Sequence, residues 1–282
     1  MAVAQPVLTG RERMLRVRGL GRLEQFGLFV LLAVTVVAVL APLLAPHGPT
    51  EQIKAAFLRP GPGGLLGTDD TGRDLLSRVL YGMRTSWFSA LIVVAGGVLI
   101  GAIIGLVAGV FGGRVDAALM RFTDLALALP GPVLAIAVII ALGPSLVHTL
   151  IAVSIVWWPW YARIVRGEAR ALMVRPHIDA ARLSEVGRTR LALKHLLPGI
   201  VPPLLIAASL DLGALVLVLA GLSFIGLGAP PPAPELGAMT ASGVQYLLGT
   251  PWVPLVPAVA VTVLAGAANL AGDALRDLLE EV

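Results

Sequence analysis

Long uncharged apolar runs alternate with shorter polar segments along most of this chain. The first run extends from Phe26 to Leu44 without a charged residue, which is close to the ~20 residues that an α-helix needs to cross the hydrocarbon core of a bilayer. Further apolar runs begin near residues 87, 117, 146, 200 and 251. The pattern therefore predicts an all-α integral membrane protein with six transmembrane helices.

The predicted spans divide the chain into consecutive segments. The first apolar run is longer than the about 7–15 residues of a signal-peptide core, and no small-x-small cleavage site follows it, so a retained helix is the preferred interpretation. The predicted spans are 26–44, 87–111, 117–142, 146–164, 200–225 and 251–270. They lie within an N-terminal segment (1–25), a first transmembrane helix (26–44), a loop (45–86), a five-helix core (87–273) and a tail (274–282).

The 45–86 loop shows two local patterns. The stretch 67–74 reads Gly-Thr-Asp-Asp-Thr-Gly-Arg-Asp, in which Asp and Thr side chains favour a turn and a helix cap. A metal site is the alternative interpretation of its acidic residues, but hard cations need more oxygen ligands than this stretch offers. Apolar residues at positions 75, 76, 79, 80 and 83 then predict an amphipathic helix lying in the membrane interface.

The second predicted span has glycines at every fourth position. Residues of this size at that spacing form one helix face, which lets another helix approach closely. The pattern leaves open whether the other helix belongs to the same chain or to a second subunit. The glycines are Gly97, Gly101, Gly105 and Gly109.

Three residues inside apolar runs are candidates for a passage through the membrane. Pro130 and Pro132 interrupt the third run, and proline removes a helical hydrogen bond and bends the helix. Asp211 lies near the middle of the fifth run, where an ionisable residue is expensive and favours a cavity. The alternatives are irregular packing for the prolines and a bond to a neighbouring helix for Asp211. Earlier in the third run, Asp124 could pair with Arg121, three residues away.

The distribution of basic residues predicts the orientation. With six spans, sixteen of the 21 Lys and Arg residues fall on the side that holds both termini and the loop 165–199, and five fall on the other side. The positive-inside rule places the richer side in the cytoplasm. The aromatic cluster at 157–161 precedes this basic loop and is typical of the headgroup level.

Composition removes several functional classes. Only 13% of residues are charged, against about 25% in soluble domains, and there is no cysteine. The two lysines, Lys54 and Lys194, do not follow a glycine, so a phosphate-binding P-loop is absent. The four histidines are scattered, without a metal-binding spacing. We therefore expect no catalytic residue, no metal and no bound cofactor on this chain.

If the chain moves a solute across the membrane, the energy must come from another source. An ion-coupled carrier is one alternative, but it predicts several intramembrane carboxylates or histidines, and Asp211 stands alone. An integral-membrane enzyme is another, and its candidate residues are limited to the polar stretch 69–74. A cytoplasmic loop that docks an energy-supplying protein explains the basic segment 165–199 more simply.

Residues of that loop resemble a known family. Asp179-Ala180-Ala181, with Leu197-Pro198 at the end of the loop, resembles the EAA loop of permease subunits of ABC importers. That pattern is Glu-Ala-Ala, three residues, Gly, nine residues and Ile-x-Leu-Pro. Other stretches, in order and at matching spacing, resemble the second, C-type permease of the dipeptide/oligopeptide/nickel subfamily. These stretches are 67–78, 124–131, 161–167, 222–228 and 272–277.

The loop departs from the family pattern at three positions. Asp179 replaces the glutamate, Glu185 stands where glycine is expected, and His195 replaces the isoleucine. Because a glycine occurs at Gly187 instead, we expect the turn between the two short helices to shift toward Val186-Gly187.

The resemblance implies a type I ABC importer permease fold, with a cytoplasmic coupling helix between spans four and five. It implies a multi-pass protein of a prokaryotic inner or plasma membrane, with both termini cytoplasmic. The implied partners are a second, B-type permease, two cytoplasmic ABC ATPases that use ATP and Mg, an external substrate-binding protein and membrane lipid, but no nucleic acid. The implied cargo is a dipeptide or oligopeptide, with nickel chelates or glutathione as alternatives. The residues implied to couple to the ATPases are Asp179, Ala180, Ala181, Arg182, Glu185, Gly187, Leu197 and Pro198.

Overall fold

The computed structural model describes residues 21–61 and 64–280, apart from the side chains of residues 22–24, 177, 182 and 280. Most of the predicted N-terminal segment and the side chain of Arg182 thus lie outside the described part. Within these described residues the secondary structure is helical, with only isolated β-bridges between residues 52 and 74. The α-helices are α1 (Arg22–Leu44), α2 (Leu75–Phe111), α3 (Gly113–Ala128), α4 (Gly131–Leu142), α5 (Leu146–Met173), α6 (Pro176–Leu183), α7 (Arg188–Leu191), α8 (Leu197–Phe224), α9 (Leu236–Gly243) and α10 (Trp252–Glu280). A π-turn (Ala192–Leu196) joins α7 to α8.

The all-α membrane class is confirmed for the described residues. Four helical stretches are long and apolar enough to cross a membrane: α1, α2, the stretch from α7 through α8, and α10. The bent pair α3–α4 makes a fifth if it counts as one span. Helix α5 has 28 residues but is not among these stretches, and its second half contains Arg163, Arg166, Glu168 and Arg170. The count of six therefore stays a prediction.

The predicted interfacial helix at residues 75–86 is wrong as a separate element. These residues are the first turns of α2, which continues unbroken for 37 residues, a length of ~55 Å. Asp74 caps this helix by accepting a hydrogen bond from the Ser77 amide at 2.8 Å. The apolar stripe is buried by the protein, with Leu75 and Val79 in the core, so it faces other elements of the chain instead of lipid.

The glycine face of α2 packs against α5 of the same chain. A Cβ added at Gly101 would lie 2.7 Å from the Trp158 carbonyl oxygen, and one added at Gly105 would lie 2.8 Å from Val165 Cβ. Only glycine permits this approach of the two backbones. Two residues of the predicted aromatic belt, Trp158 and Tyr161, are buried by the protein, and the headgroup level of the cluster stays a prediction.

The third apolar run folds as two helices. Between α3 and α4 the chain bends by 88°, and Pro130 occupies the N-cap position of α4, with Pro132 in its first turn. Proline lacks the amide needed to continue α3 but fits the first turn of a new helix, where that amide has no partner.

Helix α10 extends past the predicted end of the last span at residue 270 and past the boundary at 273. Its buried positions continue as Leu264, Ala268, Ala271 and Ala274, a helical repeat that keeps one face inside the bundle. The helix packs against α1, α8 and α9, so packing extends it into the predicted tail.

Candidate functional site

The predicted coupling segment forms a helix-turn-helix at one end of the bundle. Helix α5 ends at Met173, and α6 begins at Pro176, after only two residues. Helix α6 ends at Leu183, and α7 begins at Arg188. Only two residues therefore separate α6 from the end of a 28-residue helix.

The bend between α6 and α7 lies at Glu185, and the predicted shift toward Val186-Gly187 is wrong. Glu185 adopts the left-handed backbone conformation, with φ at 58°. The Val186 amide donates a hydrogen bond to the Ala181 carbonyl oxygen at 3.2 Å, as in a Schellman helix end. Gly187 has an ordinary φ of −60° and forms the N-cap of α7. The glutamate thus occupies the position of the glycine in the family pattern, in a backbone conformation that favours glycine.

The two sides of α6 differ in burial. Ile178 and Ala181 face the core, with exposures of 0% and 9%, so the small side chain of Ala181 serves packing within this chain. Asp179 and Ala180 lie on the exposed side. Of the two alanines implied to couple to the ATPases, only Ala180 is therefore exposed for contact with a partner.

Two exposed apolar residues, at the end of α6 and just before its start, were not predicted from the sequence as part of the site. Leu183 is 87% exposed at the end of α6, and Val174 is 80% exposed just before it. Exposed leucine and valine at the tip of a polar loop are typical of a protein-binding surface. Leu183 lies on the side of α6 opposite to Ile178 and Ala181, and this helical position is the signal that could have identified it.

Leu197 and Pro198 lie elsewhere. They form the first turn of α8, after the π-turn, and the neighbouring Leu196 is fully buried. These two residues, which were also implied to couple to the ATPases, therefore lie at the start of a predicted span and not on the exposed side of α6.

Charged residues join α5 to α3. Asp116 on α3 is 5% exposed and accepts hydrogen bonds from Arg166, with one oxygen at 2.8 Å from Arg166 Nη2, and from Arg170. Asp124, eight residues further along α3, pairs with Arg163 at 2.6 Å. The predicted pairing of Asp124 with Arg121 is wrong, because the partner of Asp124 is Arg163 of α5. We call these contacts the α3–α5 ion ladder.

A cleft of about 310 Å³ lies beside the α3–α4 bend. Gly131, between the two prolines, and Asp211 of α8 both line it, together with Leu127 and Trp160. Trp157 Nε1 donates a hydrogen bond to Asp211 Oδ2 at 3.1 Å. The predicted bend and Asp211, which are far apart in sequence, thus border the same cleft. Asp211 has a hydrogen-bond partner in Trp157 and also faces the cleft.

The opposite end of the bundle is closed by a hydrogen-bonded cap built from residues 47–78. Asp69 Oδ1 accepts hydrogen bonds from the amides of Thr71 and Arg73, both at 2.9 Å, and Oδ2 pairs with Arg73 Nε at 2.6 Å. The turn and cap predicted for 67–74 are what the structure shows. Burial alone would raise the pKa of Asp69, but these amide bonds and the Arg73 guanidinium lower it below its ordinary value.

The buried side chain of Arg78 also connects this cap to the loop 226–235. Arg78 is 6% exposed; its Nε lies 3.3 Å from Asp69 Oδ2, and its Nη1 donates to the carbonyl oxygens of Pro49 at 2.8 Å and Pro232 at 3.3 Å. Glu235 caps α9 by accepting from the Ala238 amide at 2.9 Å. Burial raises the pKa of Glu235, although its amide bonds partly offset the effect. Arg78 therefore joins the described residues of loop 45–74 to loop 226–235.

Known proteins resemble this chain in sequence and in fold. The family described as binding-protein-dependent transport system inner membrane component matches residues 97–281, and the N-terminal TM domain of oligopeptide transport permease C matches residues 22–60. A probable D,D-dipeptide transport system permease protein of Escherichia coli is 40% identical over 252 residues, covering 89% of this chain and 85% of the relative. A dipeptide transport system permease protein of Haemophilus influenzae is 37% identical, covering 90% and 88%. In fold, the chain is similar to the MetNI methionine ABC transporter in an inward-facing conformation, with a TM-score of 0.56 and 21% identity over 71% of this chain and 96% of that one.

Proposed function

The chain belongs to the family of binding-protein-dependent transport system inner membrane components, and we propose that it lines half of a peptide translocation pathway driven by separate ATPases. It is a permease subunit of an ABC importer, and its relatives carry dipeptide and peptide transport names. The observation that supports the finer proposal is the placement of two features in one chain. An exposed helix-turn-helix lies at one end, and a cleft containing Asp211 lies beside a helix break.

The proposed assembly is suggested by the absence of a phosphate-binding P-loop from the sequence and by the exposed side of α6. A second, B-type permease completes the pathway, and two cytoplasmic ABC ATPases that use ATP and Mg dock on the coupling segments. On this chain the docking surface is the exposed side of α6, with Ala180, Leu183 and Val174 supplying the apolar contact. An external substrate-binding protein delivers the cargo to the capped end.

The ion ladder supplies a physical route from the coupling segment to the cleft. Helix α5 leads directly into α6, and Arg163, Arg166 and Arg170 tie α5 to α3. Helix α3 in turn ends at the break whose Gly131 lines the cleft. We therefore propose that movement of α6 on nucleotide binding displaces α3 and changes the shape of the cleft, so that ATP biases the equilibrium between two states of the pathway.

The proposed orientation is testable because the native chain has no cysteine. Single cysteines placed at Leu183 and at Leu248, which are 87% and 102% exposed, should react with an impermeant thiol reagent from opposite faces of inner-membrane vesicles. Labelling of both from the same face would contradict the six-span topology with cytoplasmic termini.

Transport itself is tested in proteoliposomes that contain this chain, its partner permease, the ATPases and the binding protein. Dipeptide uptake should require ATP, and Asp211→Asn should reduce the uptake rate while the complex still assembles. Ser209→Ala on the same helix is the matched control and should leave the uptake rate unchanged. Uptake driven by a pH gradient alone, without the ATPases, would support an ion-coupled carrier and contradict the proposal.

Glutathione is a second candidate cargo. A glutathione transport system permease protein of Pectobacterium atrosepticum is 37% identical and covers 90% of this chain, whereas the dipeptide permeases of Escherichia coli and Haemophilus influenzae are 40% and 37% identical. Competition of dipeptides, glutathione and nickel chelates for uptake of one labelled dipeptide distinguishes the cargoes.

A further inference from the structure

An apolar groove opens between the last turns of α2 and the segment that follows the coupling bend. Its volume is about 250 Å³. Ile103, Val107 and Phe111 form one wall, and Ala192 and Leu193 of the π-turn form the other. Ile103, Phe111 and Leu193 are each about half exposed, so the groove is continuous with the apolar outer surface of α2 and accessible from the hydrocarbon core of the membrane.

One basic side chain stands at the polar end of this groove. The guanidinium carbon of Arg188 lies 5.4 Å from the centre of the Phe111 ring, and Thr189 beside it also lines the groove. Within the described part of the chain, the ion pairs involve other arginines, and none includes Arg188. A guanidinium held against an aromatic ring keeps its planar set of donors available for a phosphate group.

We propose that this groove binds an anionic phospholipid, with an acyl chain between α2 and the π-turn and the phosphate on Arg188. The groove is lined by apolar side chains except for Arg188 and Thr189, which matches the division of a phospholipid into an acyl chain and a charged headgroup. Basic pockets between transmembrane helices on the cytoplasmic side are typical sites for anionic headgroups. The assignment to the cytoplasmic leaflet rests on the orientation proposed above.

The position of the site gives the lipid a role in coupling. Arg188 and Ala192 follow the Glu185 bend directly, and Phe111 ends the span that packs on α5. A lipid bridging the two walls would hold α7 against α2, so that α6 moves about a fixed point. Anionic lipid should therefore increase the amount of cargo moved per ATP hydrolysed.

The site is tested by native mass spectrometry of the complete transporter, released from nanodiscs of phosphatidylcholine with or without phosphatidylglycerol. The wild type should retain phosphatidylglycerol in preference to phosphatidylcholine. Arg188→Gln should reduce that preference by about fivefold, the effect of one basic residue near an anionic surface. Val107→Trp, which fills the groove, should remove lipid retention of either kind.

Arg190→Gln is the matched control, because Arg190 is exposed two residues away and does not line the groove. Equal loss in Arg188→Gln and Arg190→Gln would show a general surface-charge effect and overturn the site. Unchanged lipid retention in Arg188→Gln would overturn it as well, as would cross-linking of Val107→Cys to the partner permease in place of lipid. Retention is measured without ATP or cargo, so its failure is distinct from failure of the proposed transport function.

Discussion

The bend of the coupling segment gives a sharp test of the structure. Glu185 has φ at 58°, and its neighbour Val186 closes the end of α6 through the Ala181 carbonyl oxygen. A left-handed backbone costs a residue with a Cβ roughly 1–2 kcal/mol, whereas glycine avoids this cost but loses roughly 0.5–1 kcal/mol more chain entropy on folding. Glu185→Gly should therefore stabilise the bend by roughly 0.5–1 kcal/mol.

Hydrogen exchange measures this effect locally. In the assembled transporter, the Val186 amide of Glu185→Gly should exchange roughly two- to fivefold more slowly than in the wild type, if exchange occurs through local opening of the bend. Glu185→Val should exchange faster, because a β-branched side chain is poorly tolerated at positive φ. Far from the bend, amides in the middle of α8 should be unaffected.

Gly187→Ala is the control that separates the two possible positions of the turn. Gly187 has φ at −60°, and a Cβ added there would meet no atom within 4 Å. We expect this variant to leave the bend unchanged. A large loss of protection in Gly187→Ala, together with no change in Glu185→Gly, would mean that the turn lies at Val186-Gly187, as the sequence pattern predicts, and would refute the observed bend.

Three further predictions concern packing and charge. Gly105→Ala should destabilise the α2–α5 interface by about 1–3 kcal/mol, since the added Cβ would overlap its neighbours. Its control, Gly266→Ala, meets no atom within 4 Å; both are measured by thermal unfolding in detergent. Asp116→Asn should weaken the ion ladder by about 2 kcal/mol and lower cargo moved per ATP, whereas the exposed Asp124→Asn should cost less than about 1 kcal/mol. Because the pKa of Asp69 is lowered in the folded protein, its carboxylate should stabilise the cap at pH values above its ordinary pKa. This contribution should be lost as the pH falls through the pKa of the folded state. Acid-dependent proteolysis of the 45–74 loop in wild type and Asp69→Asn measures the loss.

Each of these predictions has a contradicting outcome. Equal unfolding temperatures for Gly105→Ala and wild type would mean that α2 and α5 are further apart than the structure shows. Normal coupling in Asp116→Asn would exclude the ion ladder from the route to the cleft. An acid transition that persists unchanged in Asp69→Asn would assign it to another group in the cap.

Hydrophobic length and local chemistry are properties of the sequence itself, and they determined much of this protein. The apolar runs predicted an all-α membrane protein because a lipid-exposed backbone must satisfy its hydrogen bonds within a helix. Pro130 and Pro132 predicted the break in the third run, and Asp69 and Asp74 predicted the turn and cap, since both effects act within a few residues. The EAA-like residues predicted the helix-turn-helix between spans, and the family was identified from the same stretches.

Tertiary contacts decided the rest. Residues 75–86 look amphipathic in isolation, but the protein supplies the apolar surface that the membrane interface would otherwise provide, so they extend α2. Asp124 had a possible partner in its own helix at Arg121, yet α5 brings Arg163 within 2.6 Å. The turn at Glu185 was misplaced because the end of α6 is set by the burial of Ile178 and Ala181, and the packed helix holds a non-glycine residue in a conformation that its local preference opposes. Periodicity can be read from one segment, whereas which surfaces meet, and how strongly they constrain the backbone between them, depends on residues far apart in the chain.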